Sequence, residues 1–259
     1  LPEVEVVRIG LAEKLPGRVV HSVSVGKPLI LQTPEGVLGK RLIGQRVETV
    51  TRRGKYLPIY LGEECLLVHL GMTGQLTFWD PEKPNSKGFY RQPETGLQRT
   101  GQHDVDKHTH LSVRFEDGTA LHYRDVRQFG KIWLLKTGEV SQFSRLSKLG
   151  PEPLSPAFTL DVFSAAIGNR NRAIKALLLD QHVLAGVGNI YADEALFCAG
   201  IRPGWKASRL TGKARKRLFR AIPEVLKKGI ELGGTSLKDY IDSDGARGSN
   251  QERLWVYGR

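Results

Sequence analysis

Apolar positions along this chain change their period twice. From Val4 to Leu15 they recur at helical spacing, with Val7, Leu11 and Leu15 on one face, and Pro16-Gly17 predicts the end of that helix. From Arg18 to about Leu134 the pattern shortens to β-like runs: Val19–Val25, Arg46–Arg52, Tyr56–Leu61, Cys65–Leu70, Gln75–Trp79, Leu111–Phe115, Ala120–Tyr123 and Lys131–Leu135. Glu116-Asp117-Gly118-Thr119 predicts a hairpin turn between two of them. So many short antiparallel runs predict a sandwich or barrel. Residues 80–106 are polar and rich in Pro, Gly, Asn and Gln, and read as a mobile loop insertion.

Lys148-Leu149-Gly150-Pro151-Glu152-Pro153 then predicts a linker, because closely spaced prolines stiffen a chain and discourage helix. Beyond it the period becomes helical, in Leu160–Ile167, Ala173–Leu179, Ile190–Ala199 and Ala207–Leu232, before a Gly-, Ser- and Asp-rich stretch at 233–250 that reads as a flexible loop. No internal repeat is present. The class expected is α+β: a β-rich half over 1–147, a joint at 148–153 and a helical half over 154–259.

Within the helical half, residues 177–199 are the most informative. An apolar helix end passes through a polar joint into Ala185-Gly186-Val187-Gly188-Asn189, and a second helical run follows. Gly186 and Gly188 strip side chains from a turn that opens a helix, so backbone N–H groups there can approach an anion. Asn189 stands where an N-cap is expected, with Asp193 and Glu194 near the first turn. A glycine corner inside an ordinary helical bundle has the same pattern.

Composition narrows the choice. The chain has 259 residues, enough for two cores, with 40% hydrophobic and 25% charged residues as in a globular protein. Its 39 Lys and Arg against 27 Asp and Glu leave a net charge of +12, which favours a polyanionic partner. No apolar stretch approaches the roughly 18–20 residues that span a bilayer, and no signal-peptide pattern opens the chain. Cys65 and Cys198 lack paired-ligand spacing and read as reduced core thiols of a cytoplasmic protein, leaving no zinc site in these residues.

Eight blocks now fall into one order. They are Leu1-Pro2-Glu3-Val4-Glu5, Arg52-Arg53-Gly54-Lys55-Tyr56, His69-Leu70-Gly71-Met72-Thr73-Gly74, Lys107-His108-Thr109-His110, Asp125-Val126-Arg127-Gln128-Phe129-Gly130, the glycine corner, Gly233-Gly234-Thr235-Ser236-Leu237 and Val256-Tyr257-Gly258-Arg259. Together they closely resemble the bacterial formamidopyrimidine-DNA glycosylase and endonuclease VIII family, and the last two blocks favour the formamidopyrimidine branch. The resemblance covers almost the whole chain. It implies an N-terminal antiparallel β-sandwich with a leading helix and a C-terminal helical domain carrying a helix–two-turn–helix. The implied activity is excision of oxidised purines, such as 8-oxoguanine and formamidopyrimidines, from damaged double-stranded DNA, followed by strand opening. A monomer is expected, with no membrane association.

In this family the mature chain begins with Pro-Glu ahead of the block that starts here at Leu1. The resemblance therefore implies that the catalytic secondary amine and the first general acid lie upstream of Leu1. A terminal amine titrates near about 7.7–8.0, against about 10.4 for lysine, so a useful fraction is uncharged at neutral pH. Pro2 cannot replace it, since its nitrogen is an amide; Pro2 and Glu3 are instead expected to open the first helix. The family also continues past Tyr-Gly-Arg into a four-cysteine zinc finger. The expectation is a chain trimmed at both ends, inactive or nearly so, with one structural zinc in the full-length protein and no cofactor here.

The resemblance further implies roles for single residues. Lys55 matches a lysine that approaches the lesion phosphate and assists elimination. Met72 (the sole methionine), Arg127 and Phe129 match residues pushed into the duplex once the damaged nucleotide is extruded. His108, Arg170, Lys175 and Asn189 match phosphate contacts. Gly233 to Asn250 matches a loop over the extruded base, with Thr235 and Ser236 available to its edge, although an aromatic usually precedes Gln where Asn250 stands. On residue type alone other assignments remain: a solvated basic turn for Lys55, core positions for Met72 and Phe129, pairing of Arg127 with Asp125, a surface histidine at 108, a solvated basic face from Arg170 to Lys175, and a disordered linker at 233–250. The rival functions are an oxidised-pyrimidine glycosylase, a non-catalytic DNA-binding relative and, far below, an RNA-binding protein.

Overall fold

The computed structural model describes residues 1–26, 28–82, 107–237 and 239–258, so the expectation for 80–106 falls almost wholly outside the described residues. Helix α1 (Pro2–Lys14) opens with a proline where the missing N–H costs nothing, and it carries Glu3 and Glu5 at the positive end of its dipole. Its Val4, Val7 and Leu11 stripe is buried. Strand β1 (Val20–Val25) and helix α2 (Glu35–Leu42) follow, then β2 (Thr49–Val50), β3 (Tyr56–Leu61), β4 (Glu64–His69), β5 (Gly74–Trp79), β6 (Thr109–Phe115), β7 (Ala120–Asp125) and β8 (Lys131–Lys136).

These strands pair antiparallel into two four-stranded sheets, ordered β1-β6-β7-β5 and β2-β3-β4-β8. Their inner faces share one core. Leu111, Val113, Leu121 and Tyr123 of the first sheet meet Leu57, Ile59, Leu66 and Val68 of the second, and Val7 and Leu11 join from α1. β4 is buried from Glu64 to Val68 because both of its faces are covered. Leu66 and Val68 face the sandwich, while Cys65 and Leu67 pack with Trp133, Val140 and Leu146 from β8 and the segment after it, which includes α3 (Ser144–Ser147).

Two β expectations need correction. The run Arg46–Arg52 yields a strand only at Thr49–Val50, because its first half pairs elsewhere: Val47 exchanges backbone hydrogen bonds with Gly17 and Arg18. Helix α2 escaped the sequence reading; its Leu38 and Leu42 are buried, but two glycines interrupt the periodic signal.

The helical half has its own core, built from Phe163, Ile167, Leu177, Leu178, Leu196, Leu218 and Leu226 on α4 (Leu160–Ile167), α5 (Ile174–Leu179), α6 (Asn189–Cys198) and α7 (Gly212–Glu231). Thr159 caps α4 by accepting from Val162 N–H at 3.2 Å, and Thr211 caps α7 by accepting from Ala214 N–H at 3.2 Å. The cap at Thr211 explains why the expected helix Ala207–Leu232 breaks, leaving a separate 3-10 turn at Ala207–Arg209. Leu1 belongs to this second core although its helix belongs to the first, so the start of the chain bridges the halves.

The 233–250 stretch is not a slack connector. Gly233 and Gly234 take φ of +72° and +87°, and a Cβ on Gly248 would stand 2.1 Å from Gly234 O. Ser249 N–H and Asn250 N–H close the loop onto Leu232 and Gly234 carbonyls, while Phe78 N–H bonds Ser243 O. Glycine permits backbone-to-backbone packing that composition alone reads as flexibility.

The 148–153 joint is likewise fixed. Arg52 donates to Glu5 on α1 (2.6 Å) and to Glu152 (2.8 Å), with only 10% of its side chain exposed. Glu152 also accepts from Gly54 N–H, and Arg53 donates to the Leu149 and Gly150 carbonyls. Burial pushes the Glu5 carboxyl up, but hydrogen bonds from Arg8 and Arg52 outweigh it and hold it below the ordinary carboxylate range. Its contribution is complete above the ordinary value of 4.5 and is lost as pH falls through the lowered one. We predict that Glu152→Ala, which strands Arg52, lowers the unfolding free energy by about 3 kcal/mol. Urea denaturation followed by circular dichroism measures this; an unchanged midpoint would mean the joint is held by other contacts.

Candidate active site and nucleic-acid interface

A cavity of about 330 Å³ opens where the two halves meet. Leu1 and Glu3 of α1, Lys55, His69 to Gly74, Gly188 to Tyr191, and Thr235, Tyr240 and Tyr257 form its walls. Segments far apart in sequence thus converge on one volume.

Lys55 arrives on a tight turn in which Arg53 and Tyr56 exchange backbone hydrogen bonds of 3.0 Å. Gly54 holds φ +59° there, and any Cβ would press on Leu149 at 3.1 Å. The ammonium reaches across to α6, where a Cβ on Gly188 would lie 3.7 Å from Lys55 Nζ. Burial lowers the Lys55 pKa from its ordinary value, and the Glu3 carboxylate pulls the other way.

The glycine corner differs in detail from expectation. Gly186, at φ +86°, makes room for Leu1: a Cβ there would meet Leu1 Cδ1 at 2.3 Å. The N-cap of α6 is Gly188 with no side-chain bond, so Asn189 is the first helical residue and not the cap. Its exposed amide stands 3.5 Å from the Tyr257 hydroxyl. No acid lies in the first turn of α6. Asp193 instead pairs with Lys175 at 2.8 Å, and buried Glu194 accepts the N–H groups of Trp255, Val256 and Tyr257 at 2.7–3.0 Å. That carboxylate delivers Tyr257 to the cavity.

Glu3 does more than open a helix. Tyr191 donates its hydroxyl to Glu3 Oε1 at 2.6 Å, and Thr235 N–H follows at 3.2 Å. Asn250 donates to Thr235 Oγ1 at 2.7 Å, so α1, α6 and both ends of the 233–250 loop share one hydrogen-bonded group. Burial, then the Glu3 charge, raises the Tyr191 pKa and keeps it a donor. The backbone nitrogen of Leu1 lies 3.6 Å from Glu3 Oε2. As a free amine it titrates at about 5, pushed down by burial against the pull of Glu3.

His69, quoted in a matching block but given no role from sequence, also lines the cavity. Burial first, then Lys55 and Arg145, lower its pKa to about 4, so the ring is neutral at physiological pH. Its Nδ1 accepts from Gly71 N–H at 3.2 Å, which assigns the remaining proton to Nε2. The periodicity signal could not separate it from the other residues of β4.

At the rim, Met72 is 70% exposed and Phe129 51% exposed, so neither is a core residue. Arg127 does not ion-pair with Asp125: its backbone N–H donates to that carboxylate at 3.2 Å, while its guanidinium stacks 4.5 Å over the Phe129 ring. Other expected residues stand apart from the cavity. His108 is half-buried just before β6, Arg170 is exposed after α4, and Lys175 is held by Asp193. Ser236 is turned inward, donating to Tyr240 O at 2.9 Å and accepting Gly248 N–H at 3.0 Å.

Among the described residues no group of His, Cys, Asp and Glu is arranged to hold a metal, so the zinc implied by the resemblance finds no ligands there. Cys65 is buried as expected, but Cys198 is exposed, because it lies off the buried face of α6. Burial lifts their thiols to about 12 and about 11, which keeps both protonated at neutral pH.

Comparison with known proteins agrees with this geometry. Residues 1–132 match the formamidopyrimidine-DNA glycosylase N-terminal domain, and 149–240 match the formamidopyrimidine-DNA glycosylase H2TH domain. A formamidopyrimidine-DNA glycosylase of Moorella thermoacetica is 41% identical over 261 residues, covering 100% of this chain and 88% of that protein. One from Listeria innocua is 39% identical over 260 residues, with 100% and 88% covered. The solved complex between the Lactococcus lactis Fpg and an abasic site containing DNA superposes with TM-score 0.84 at 34% identity, covering 100% of this chain and 88% of that one. The chain belongs to the formamidopyrimidine-DNA glycosylase family.

The environment of Lys55 has a measurable consequence. In ¹³C-dimethylated protein, its resonance should titrate below those of the surface lysines. Glu3→Gln should move it lower still, because the carboxylate that favours the charged amine is gone. A Lys55 titration coincident with the surface lysines would show that the cavity is wetter than its walls imply.

Proposed function

We propose that this chain, by family a DNA glycosylase of base-excision repair, removes oxidised purines such as 8-oxoguanine and formamidopyrimidines from damaged double-stranded DNA and then opens the strand as an abasic-site lyase. The observation that carries the reading is the convergence of Lys55, the Gly188–Asn189 helix start, Met72 and the Thr235 loop on one cavity. It would work as a monomer on DNA, with 1–147 as the catalytic sandwich half, 148–153 as joint and 154–259 as the DNA-gripping helical half. The matching solved structures support this with the substrates in their titles, an abasic site and a Fapy-dG containing DNA. Among the described residues no helix is long and apolar enough to cross a membrane; a cytoplasmic setting fits the activity.

In this reading the base leaves an extruded nucleotide. Met72 and Phe129 fill the space behind it, and Arg127 meets the orphaned partner base. Phosphates flanking the lesion lie against Lys55, neutral His69 and the α6 start, with Asn189 beside them and His108, Arg170 and Lys175 further along the backbone. The attacking amine forms a bond to the sugar carbon as the base departs with its bonding pair. The iminium so formed is the electron sink for successive loss of the two phosphates. Lys55 holds one phosphate and protonates a leaving oxygen. Thr235 and Ser236 belong to the loop over the extruded base, their hydroxyls here satisfied internally.

By the family pattern the amine belongs to a Pro-Glu dipeptide ahead of Leu1, and the Leu1 nitrogen stands beside Glu3 on the cavity wall. Borohydride trapping on a duplex with one 8-oxoguanine opposite cytosine tests this. The chain extended by Pro-Glu is expected to cross-link, and the chain starting at Leu1 to bind without a covalent adduct. Equal adducts from both would transfer the role to the Leu1 amine or to Lys55. Stronger trapping on thymine glycol would move the substrate class to oxidised pyrimidines.

A further inference from the structure

Asp125 ends β7 with 0% exposure, and its carboxylate faces the backs of the two rim loops. Oδ1 accepts from Thr73 Oγ1 in the Met72 loop and from Arg127 N–H at 3.2 Å. Oδ2 accepts from Gly130 N–H at 2.8 Å and from the Tyr123 hydroxyl at 3.2 Å. An ionised carboxylate has about four acceptor sites, and all are used. Arg127 N–H also lies 3.3 Å from Thr73 Oγ1, so one donor is shared between the loops.

Backbone packing joins the same loops. A Cβ on Gly71 would stand 2.7 Å from Gly130 N and 2.8 Å from Phe129 C. A Cβ on Gly130 would collide with the Tyr123 hydroxyl at 1.6 Å, and one on Gly74 would reach that oxygen at 2.5 Å. Between Arg127 and Phe129, Gln128 takes φ +56°, the sole left-handed residue other than glycine among the described residues. Such a conformation persists only where its surroundings over-determine it, and Asp125 binds the residues on both sides.

We propose that Asp125 is a positioning residue that locks the Met72 loop and the Arg127–Phe129 loop into one rigid wedge, so that the three side chains enter a damaged duplex together. This rests on the reading of Met72, Arg127 and Phe129 as void-filling residues. Asp125 touches no DNA itself. Its carboxylate is required because an amide in its place would turn a donor toward groups that are themselves donors.

The test measures binding, with a duplex carrying one tetrahydrofuran abasic site opposite cytosine and a neighbouring 2-aminopurine that brightens when unstacked. Asp125→Asn is expected to weaken binding to this duplex about tenfold while affinity for undamaged duplex stays within about twofold, since buried donors lose their acceptor only at the rim. The 2-aminopurine signal should fall with it. Thr73→Val, which cuts only the Met72 side, should act the same way at about threefold. In a Met72→Ala/Phe129→Ala background, Asp125→Asn should add less than about twofold, because the groups it positions are gone. An equal loss in both backgrounds, or equal loss on damaged and undamaged DNA, overturns the proposal. If Asp125→Asn does not fold, wild-type discrimination by Thr73→Val overturns it instead. Wild-type behaviour of Met72→Ala/Phe129→Ala with Arg127→Ala defective leaves the wedge claim wrong but Arg127 engaged. Wild-type behaviour of both removes the void-filling reading itself and the proposal with it.

Discussion

The site depends on a guanidinium that water barely reaches. Arg52 stands between Glu5 of the first helix, Glu152 of the joint and the Gly54 carbonyl. A lone cation so placed would be expelled or would draw water in, whereas two carboxylates and a carbonyl in planar reach of its fork satisfy it. Because each partner sits on a different segment, satisfying one charge fixes three pieces of chain. Lys55 follows two residues after Gly54, whose N–H is held by the same Glu152, so the cavity amine inherits its position from this cluster. The ion pairs matter here less as a source of stability than as a register mark between the halves.

The same device recurs with the signs reversed. Glu3 collects Tyr191 and Thr235, and Glu194 collects the amides of Trp255 to Tyr257. Each carboxylate binds neutral N–H or O–H groups from distant segments. An unmade hydrogen bond to a buried group costs about 1–3 kcal/mol, more when the group is charged. A partly assembled cavity therefore leaves several such penalties standing, and only the fully closed arrangement relieves them all. Substrate-facing groups can then be few and short of partners, as Met72 and Phe129 are at the rim, because the scaffold behind them is over-determined.

What the sequence made legible follows from how local each signal is. The helix from Pro2, the short antiparallel runs, the helical half and the corner around Gly186 come from near-neighbour patterns, and all four are present. The matching blocks also brought Lys55, Met72, Asn189 and Thr235 to the right cavity. Non-local partnership was invisible. Nothing in Arg46–Arg52 says that its first half bonds residues 17–18, nor does a glycine-rich 233–250 announce that its glycines serve close packing. The cap of α6 slipped from Asn189 to Gly188 because a cap is set by φ and ψ, and residue preference only follows them. His69 and Glu3 were overlooked as cavity walls for the same reason, since their meaning comes from what folds against them.

Charge illustrates the difference in scale. The net +12 is a property of the whole surface, and a field of that kind attracts a polyanion from a distance without choosing where on it to stop. The cavity carries little of that charge: Lys55 faces Glu3, and His69 is neutral. A strongly cationic pocket would bind any phosphate, damaged strand or not, and would hold the product as firmly as the substrate. A desolvated lysine balanced by a carboxylate contributes most when a phosphate displaces the remaining water, which requires a nucleotide already turned out of the helix. Attraction is thus delocalised over the molecule, while discrimination falls to the uncharged rim and to the carboxylates that hold it in shape.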